Sequence, residues 1–272
     1  WLLLDALAGI LLTLSFAPFS YSYLAPLALV ILFSSWQHAT PWQAAFRGYL
    51  FGFMMFGLGV TWVFVSIFFY GNTTFSAAAF LSGLFAAFWA LFPAFAGYFS
   101  VKINQLTQQR FLIWIAPLVW ILIEYVRGFW LLNGFPWLQI AYSQVDSPFA
   151  GFMPLVGVYG TGFLLALSAS LFAWLLYFQR RCWLCAGGLI ILLVGGCGLK
   201  HIEWTKPLGA PIQASLIQGN ISQDEKWRGE NLINTLMLYQ QMTYRHWQSK
   251  IIVLPDTSIP SFLSRVDKPF LT

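Results

Sequence analysis

The stretch IIVLPDTSIP, residues 251–260, contains one carboxylate that could take part in acid–base chemistry. An apolar run is stopped by Pro255, and the carboxylate of Asp256 follows at once. A carboxylate at the end of a strand can take a proton from a nucleophile. Aspartate is also a common turn former and helix cap, and the following Thr257 and Ser258 fit that alternative. Asp256 is therefore either a candidate general base or a turn residue.

The three cysteines, Cys182, Cys185 and Cys197, lie in one apolar run or at its edge. Cys182 and Cys185 form a lone CxxC beside Arg180 and Arg181. Without a second pair or a nearby histidine this spacing is a weak metal or redox signal. We interpret the cysteines as small apolar fillers of a membrane helix.

Two ionisable side chains, Glu124 and Arg127, lie one helical turn apart in an apolar run. Charged groups inside a membrane are costly and tend to pair. An intrahelical ion pair is one interpretation, and contact with a phospholipid head group is the other. The sequence assigns no role to Asp5, which lies in the first apolar run.

The composition divides the chain into two parts. Of its 272 residues, 59% are hydrophobic and only 8% are charged, whereas soluble domains carry about 25% charged residues. Nine charged residues fall in 1–199 and fourteen in 200–272. The first part is therefore expected in a bilayer and the second in water. The net charge of +5 does not indicate nucleic-acid binding, because the basic residues form no patch with interleaved aromatic residues.

The apolar runs of the first part predict a membrane all-α bundle. A spanning helix needs about 20 mostly apolar residues, and breaks between runs fall at turn signals. We predict about seven spans, at 1–15, 22–37, 44–69, 75–100, 111–127, 153–178 and 182–199. The domain boundaries follow as 1–199 for the multi-span domain, 200–211 for a linker and 212–272 for a soluble domain.

Basic residues in the connections predict the orientation of the bundle, because cytoplasmic loops are enriched in Lys and Arg. One side receives only Arg127 and Lys200. The other receives Arg47, Lys102, Arg110, Arg180 and Arg181. The second side is therefore predicted to be cytoplasmic, and seven spans would then deliver residue 200 to the periplasm or another extracytoplasmic space.

The soluble part has the pattern of a βαβ unit. Residues 212–218 alternate and meet the turn signal Gly219-Asn220, which predicts a strand. Residues 230–248 have apolar positions at helical spacing. The run IIVL at 251–254 is typical of a strand buried on both faces. Ligands of open α/β sheets gather at the carboxyl ends of the strands, which is where Asp256 lies.

Five separate elements occur in order along the chain: GFPWLQ at 134–139, SQVD at 143–146, VYG at 158–160, QGNISQDEKW at 218–227 and IIVLPDTSIP at 251–260. In this order they resemble one family, the apolipoprotein N-acyltransferases of bacteria. The resemblance runs from about residue 9 to residue 262 and is specific because all five elements occur.

The resemblance implies a fold and a catalytic group. Family members have a multi-span membrane domain and a periplasmic nitrilase-like domain, an αββα sandwich of the carbon–nitrogen hydrolase type. They use a Glu, Lys and Cys triad, and Asp256 occupies the position of the family's Glu. The matching Lys and Cys would lie beyond Thr272. Because the chain begins at Trp1 without Met and stops within the pattern, we expect an N-terminal fragment that is inactive alone.

The resemblance also implies the reaction and its partners, and it implies that no metal or organic cofactor is needed, because the family's thiol carries the acyl group. The family's Cys takes an acyl chain from a phospholipid, usually phosphatidylethanolamine, and passes it to the amine of a lipoprotein's diacylglyceryl-cysteine. This places the protein in the bacterial inner membrane, with its soluble domain in the periplasm. Trp227 matches a Trp that the family uses near the acyl site, although an indole at the membrane–water interface is an equal alternative. Gln218 and Asn220 either face the substrate or simply form the turn.

The segment 128–154 is rich in aromatic residues, Pro and Gly. It is either an interfacial aromatic belt or a floor that admits lipid to the active site. Two other classes of protein stay open from the sequence. One is a non-catalytic paralogue that binds lipoprotein or phospholipid, since Asp256 is shorter than the family's Glu. The other is a transporter, although we see neither repeated halves nor clearly interrupted helices.

Overall fold

The computed structural model describes residues 1–107, 112–177 and 182–260. The chain divides into two compact units, Trp1–Trp204 and Thr205–Thr272. Three of the arginines that the orientation argument uses, Arg110, Arg180 and Arg181, lie outside the described residues, and so does the side chain of Cys182.

The described part of the first unit is built mainly of helices. Its helices are α1 (Leu2–Leu14), α2 (Leu24–Trp36), α3 (Pro41–Gly59), α4 (Trp62–Val65), α5 (Phe75–Trp89), α6 (Leu91–Leu106), α7 (Leu112–Phe129), α8 (Met153–Tyr177) and α9 (Cys182–Lys200). A π-helical turn at Ser66–Tyr70 continues α4, and 3₁₀ turns at Ile140–Gln144 and Pro148–Phe152 precede α8.

Within the described residues, four helical segments are long and apolar enough to cross a bilayer: Phe75–Leu106, Leu112–Phe129, Pro148–Leu176 and Trp183–Lys200. A fifth appears if the bent pair Pro41–Gly59 and Trp62–Tyr70 is taken as one span. The apolar helices α1 and α2 have 13 residues each, fewer than the roughly 20 that a span needs. The unit is therefore a helical membrane region with four or five candidate spans, and the predicted count of seven stays a prediction.

The run 44–69, which the sequence predicts as one span, is divided in the structure between α3 and the helix that begins at Trp62. Helix α3 begins at a capping box, in which Thr40 and Gln43 exchange backbone and side-chain hydrogen bonds. The chain then bends by 53° between Gly59 and Trp62. At the end of the first helix of this pair, a Cβ on Gly59 would lie 2.4 Å from Leu138 Cδ1. The missing side chain admits Leu138 where the helix stops.

Close helix packing centres on α3, which packs against both α1 and α6. A Cβ on Gly97 of α6 would lie 2.4 Å from the carbonyl oxygen of Ala44, and one on Gly9 of α1 would lie 2.2 Å from that of Phe51. Small residues at such crossings let helix backbones approach each other in membranes. These glycines therefore determine how closely α1 and α6 approach α3.

The second unit contains the predicted βαβ arrangement. Strands β1 (Ala214–Leu216) and β2 (Ile251–Val253) pair in parallel, with Ala214 opposite Ile251 and Leu216 opposite Val253. Between them lie α10 (Gln223–Lys226), a 3₁₀ turn at Gly229–Asn231 and α11 (Leu232–Arg245).

The burial of this unit is one-sided. Thr235 and Tyr239 of α11 are buried, and so is Ile217 just after β1, as the helical spacing in 230–248 indicates. Ile251 and Val253, however, are each 45% exposed. The expectation of a strand buried on both faces is therefore wrong for the described residues, in which no second layer covers this face of the sheet.

Candidate functional site

The carboxyl ends of the two strands place two of the sequence-predicted site residues, Gln218 and Asp256, at one edge of the sheet. Leu216 and Val253 are register partners at the ends of parallel strands. Gln218 and Asp256 therefore both follow within three residues of that edge. This is the position at which open α/β sheets bind ligands. All four predicted residues, Asp256, Trp227, Gln218 and Asn220, are exposed here in the described part of the chain.

Asp256 lies in a tight turn. The Ser258 N–H donates to the Pro255 carbonyl over 3.2 Å, which closes a turn with Asp256 and Thr257 at its centre. Thr257 has φ of 56°, the sign that position i+2 of a type II turn requires. Both interpretations of the sequence are thus compatible with the geometry, because Asp256 belongs to a turn and presents an exposed carboxylate at the strand edge.

The turn after β1 explains the positions of Gln218 and Asn220. Asn220 has φ of 52°, a conformation that asparagine tolerates better than most residues. Between them, Gly219 packs on the ring of Tyr239, and a Cβ there would lie 2.8 Å from Tyr239 Cζ. The local geometry accounts for this turn by itself. A substrate-binding role for Gln218 and Asn220 stays a prediction.

Trp227 follows α10 and is 60% exposed. Its neighbour Lys226 provides a link that the sequence analysis missed. Lys226 Nζ donates to the backbone carbonyl oxygen of Asp256 over 3.0 Å. The contact joins the QDEKW motif to the strand-end turn. In the sequence, Lys226 stands directly beside the motif residue Trp227, which could have marked it as a candidate. Nothing in the sequence pattern predicted that its hydrogen-bond partner lies 30 residues away.

In the membrane unit, Glu124 and Arg127 form the predicted intrahelical ion pair on α7. Glu124 Oε1 lies 3.7 Å from an Arg127 guanidinium nitrogen, and the side chains are 4% and 3% exposed. The two side chains pair with each other while almost completely buried, so the ion-pair interpretation is confirmed. Glu124 Oε1 also accepts the Ile140 N–H at 3.0 Å, while Oε2 has no hydrogen-bond partner in the described residues.

Arg127 connects α7 to the segment that follows it. Its NH1 donates to the carbonyl oxygens of Phe135 and Trp137 at 2.7 and 2.5 Å. Its guanidinium carbon lies 5.3 Å from the centre of the Phe56 ring, a cation–π contact with α3. Together with the Glu124–Ile140 bond, these contacts hold residues 135–140 on the bundle.

The segment held in this way carries aromatic side chains in two environments. Phe135 is buried and stacks on Trp137 with ring centres 5.2 Å apart. Trp137 also contacts Trp62 of α4 at 5.8 Å. Trp130 and Leu132 are each 75% exposed. Exposed apolar side chains on a membrane region suit an interface with lipid, which agrees with both interpretations of 128–154.

The cysteines of α9 differ in environment. Cys185 is buried with Ile113 and Leu171 in a small apolar cluster, whereas Cys197 is exposed. Cys185 therefore behaves as the predicted apolar filler. All three cysteines precede Lys200, so none belongs to the unit that contains Asp256.

These features define a membrane protein whose helical bundle is followed in sequence by a parallel βαβ unit with a carboxylate at its strand edge. The chain belongs to the family of the apolipoprotein N-acyltransferase N-terminal domain, which matches residues 8–171.

Curated relatives cover almost the whole chain. A protein of Methylococcus capsulatus named apolipoprotein N-acyltransferase is 44% identical over 272 residues, which is 99% of this chain and 54% of the relative. Proteins with the same name from Nitrosomonas europaea and Coxiella burnetii are 39% and 36% identical, and the chain covers 52% and 55% of them. The chain thus spans about half the length of the curated relatives it matches.

Proposed function

We propose that the full-length protein containing this chain is an apolipoprotein N-acyltransferase. It would move an acyl chain from a phospholipid to the N-terminal amine of diacylglyceryl-cysteine in a lipoprotein. The proposal is carried by the family match over residues 8–171 together with the names of the relatives. The exposed carboxylate of Asp256, at the carboxyl end of β2, supplies the chemical group that such a reaction needs.

The proposed reaction has two balanced steps. In the first, a cysteine thiol gives its proton to the Asp256 carboxylate and attacks the ester carbonyl of the phospholipid. The ester C–O bond breaks, the leaving alkoxide takes the proton, and a thioester and a lysophospholipid form. In the second, the lipoprotein amine attacks the thioester and loses a proton to the carboxylate. The C–S bond breaks, and the thiolate recovers that proton as the amide forms.

The resemblance supplies the remaining roles. The nucleophilic Cys and a Lys would come from positions beyond Thr272, and no metal or organic cofactor is required because the thiol carries the acyl group. Trp227 would line the path of the acyl chain, and Gln218 and Asn220 would border the substrate. Phosphatidylethanolamine is the proposed donor, and a diacylated apolipoprotein is the proposed acceptor.

The proposed setting is the bacterial inner membrane. Residues 1–199 would form a seven-span bundle, with α1 and α2 as short spans, followed by a linker at 200–211. Residues 212–272 would begin a nitrilase-like domain in the periplasm. The basic residues Arg47 and Lys102, on the side predicted to be cytoplasmic, support this orientation.

The direct test is transfer by the purified full-length protein. It is incubated with phosphatidylethanolamine and a synthetic diacylated lipopeptide, and the peptide is analysed by mass spectrometry. We expect a mass increase of one acyl chain on the N-terminal amine. A lipopeptide with a blocked amine is the matched control. Binding of lipopeptide without any acylation would instead identify a non-catalytic paralogue, the function that an Asp at the family's Glu position favours.

A further inference from the structure

We propose that Lys226 is a positioning residue for Asp256, because it holds the peptide on which the carboxylate is mounted. This inference rests on the proposed function, in which Asp256 is the general base. Lys226 does not need to touch substrate in this role. It acts by fixing the turn at the end of β2.

The contact falls on the central peptide of that turn. Lys226 Nζ donates over 3.0 Å to the carbonyl oxygen of Asp256. This carbonyl belongs to the peptide between Asp256 and Thr257, the two central residues of the turn that Ser258 N–H closes on Pro255. A rotation of this one peptide interconverts the two commonest turn types, I and II. A donor on its carbonyl therefore selects one of them.

The conformation selected is unfavourable for the residue that adopts it. Thr257 has φ of 56°, and a β-branched residue at positive φ is an outlier. Such backbone strain persists only where surrounding contacts hold it. Lys226 supplies a charge-assisted contact of this kind from another element of the unit, since ammonium donors make stronger hydrogen bonds than neutral ones.

The lysine is itself held in place. It is half-buried at the last position of α10. The short helix is tied to the next turn by Asn231 Nδ2, which donates to the Glu225 carbonyl over 3.2 Å, and by the Arg228 N–H on the same oxygen. The base of the Lys226 side chain is therefore anchored.

Loss of the ammonium would release the strain at Thr257 by rotation of the central peptide. Asp256 would then shift relative to the reacting groups. A misplacement of about 1 Å can cost on the order of 10²-fold in rate. Because the turn keeps its closing hydrogen bond, we expect a smaller loss, of about 10-fold, in acyl transfer to the enzyme at saturating phospholipid.

The test uses a suppressor. In the full-length protein, Lys226→Met keeps the stem but loses the donor, and Lys226→Arg keeps a cationic donor. Thr257→Gly removes most of the conformational strain of positive φ at this position, since Gly populates positive φ readily. The measurement is the single-turnover rate of thioester formation from labelled phosphatidylethanolamine, with the KM for phospholipid measured in parallel. Lys206→Met, at an exposed position of the same unit, is the control.

We expect Lys226→Met to slow thioester formation about 10-fold with little change in KM, and Lys226→Arg to stay within about 3-fold of the parent. Thr257→Gly in the Lys226→Met background should restore most of the rate. If Lys226→Met slowed the reaction only by removing a charge or by unfolding the protein, Thr257→Gly would not restore the rate. Unchanged rates in Lys226→Met, or no recovery in the double variant, would overturn the positioning role.

The same experiment separates this inference from the proposed function. If the parent forms thioester and Asp256→Asn does not, while Lys226→Met matches the parent, only the role of Lys226 is wrong. If the parent forms no thioester at all, the proposed function fails, and the positioning role fails with it.

Discussion

Replacement of Arg127 by methionine should destabilise the membrane unit strongly. The change removes two hydrogen bonds to the carbonyls of Phe135 and Trp137 and the cation–π contact with Phe56. It also leaves the carboxylate of Glu124 buried without its counter-charge. Breaking one partner of a buried ion pair costs about 3–5 kcal/mol. At about 2–4 °C per kcal/mol for a protein of this size, the melting midpoint should fall by roughly 10 °C.

A double variant separates the cost of the unpaired buried charge from the other losses caused by Arg127→Met. Glu124→Gln keeps an acceptor for the Ile140 N–H, whose bond to Oε1 is 3.0 Å, but removes the buried charge. Glu124→Gln combined with Arg127→Met should therefore cost less than Arg127→Met alone. Contacting residues show coupling of about 0.5–3 kcal/mol, so the double variant should recover several degrees.

The assay is thermal unfolding of the purified protein in detergent, followed by the loss of the monodisperse peak in size-exclusion chromatography. Lys102→Met, which removes an exposed cation from α6, is the matched control and should leave the midpoint unchanged. A midpoint for Arg127→Met within about 2 °C of the parent would refute this reasoning. A double variant less stable than Arg127→Met would also contradict it.

Two further predictions concern packing and topology. Gly97→Ala should lower the stability by about 1–3 kcal/mol in the same assay, because the new Cβ would lie 2.4 Å from the Ala44 carbonyl oxygen. The control Gly83→Ala, with nothing within 4 Å of its Cβ, should be neutral or slightly stabilising. Equal melting midpoints for the two variants would contradict this packing. Alkaline phosphatase fused after Trp204 should be active, and a fluorescent reporter that folds only in the cytoplasm should be dark there. Bright fluorescence without phosphatase activity would reverse the proposed orientation.

Local patterns in the sequence predicted the features that depend on neighbours along the chain. The helical spacing in 230–248 indicated the buried face of α11 that includes Tyr239. The i, i+3 spacing of Glu124 and Arg127 indicated their ion pair. The apolar runs each fall on one or two helices of the membrane unit, although their lengths did not establish how many of these helices span the bilayer.

Features that depend on distant residues could not be predicted in this way. The packing partner of Gly59, where α3 ends, is Leu138, which lies 79 residues further along the chain. The link from Lys226 to Asp256 likewise joins separate elements. The apolar run 251–254 predicted burial on both faces, but an apolar run does not report whether a covering layer exists on each side. The roles of Gln218, Asn220 and Trp227 concern substrates and remain predictions.

The role of Asp256 is the central claim, and two substitutions test it directly. In the full-length protein, acyl-thioester is trapped with labelled phosphatidylethanolamine at equal expression in membranes. Asp256→Asn keeps the shape but cannot accept a proton, so labelling should be abolished. Asp256→Glu should preserve or raise labelling, because it restores the length of the family's Glu. If Asp256 were only a turn residue, Asp256→Asn should leave labelling unchanged and Asp256→Glu should reduce it, since Asn suits turns as well as Asp does. If the Asp256→Asn protein is labelled like the parent and the Asp256→Glu protein is not, Asp256 only shapes the turn and its assignment as the base is wrong.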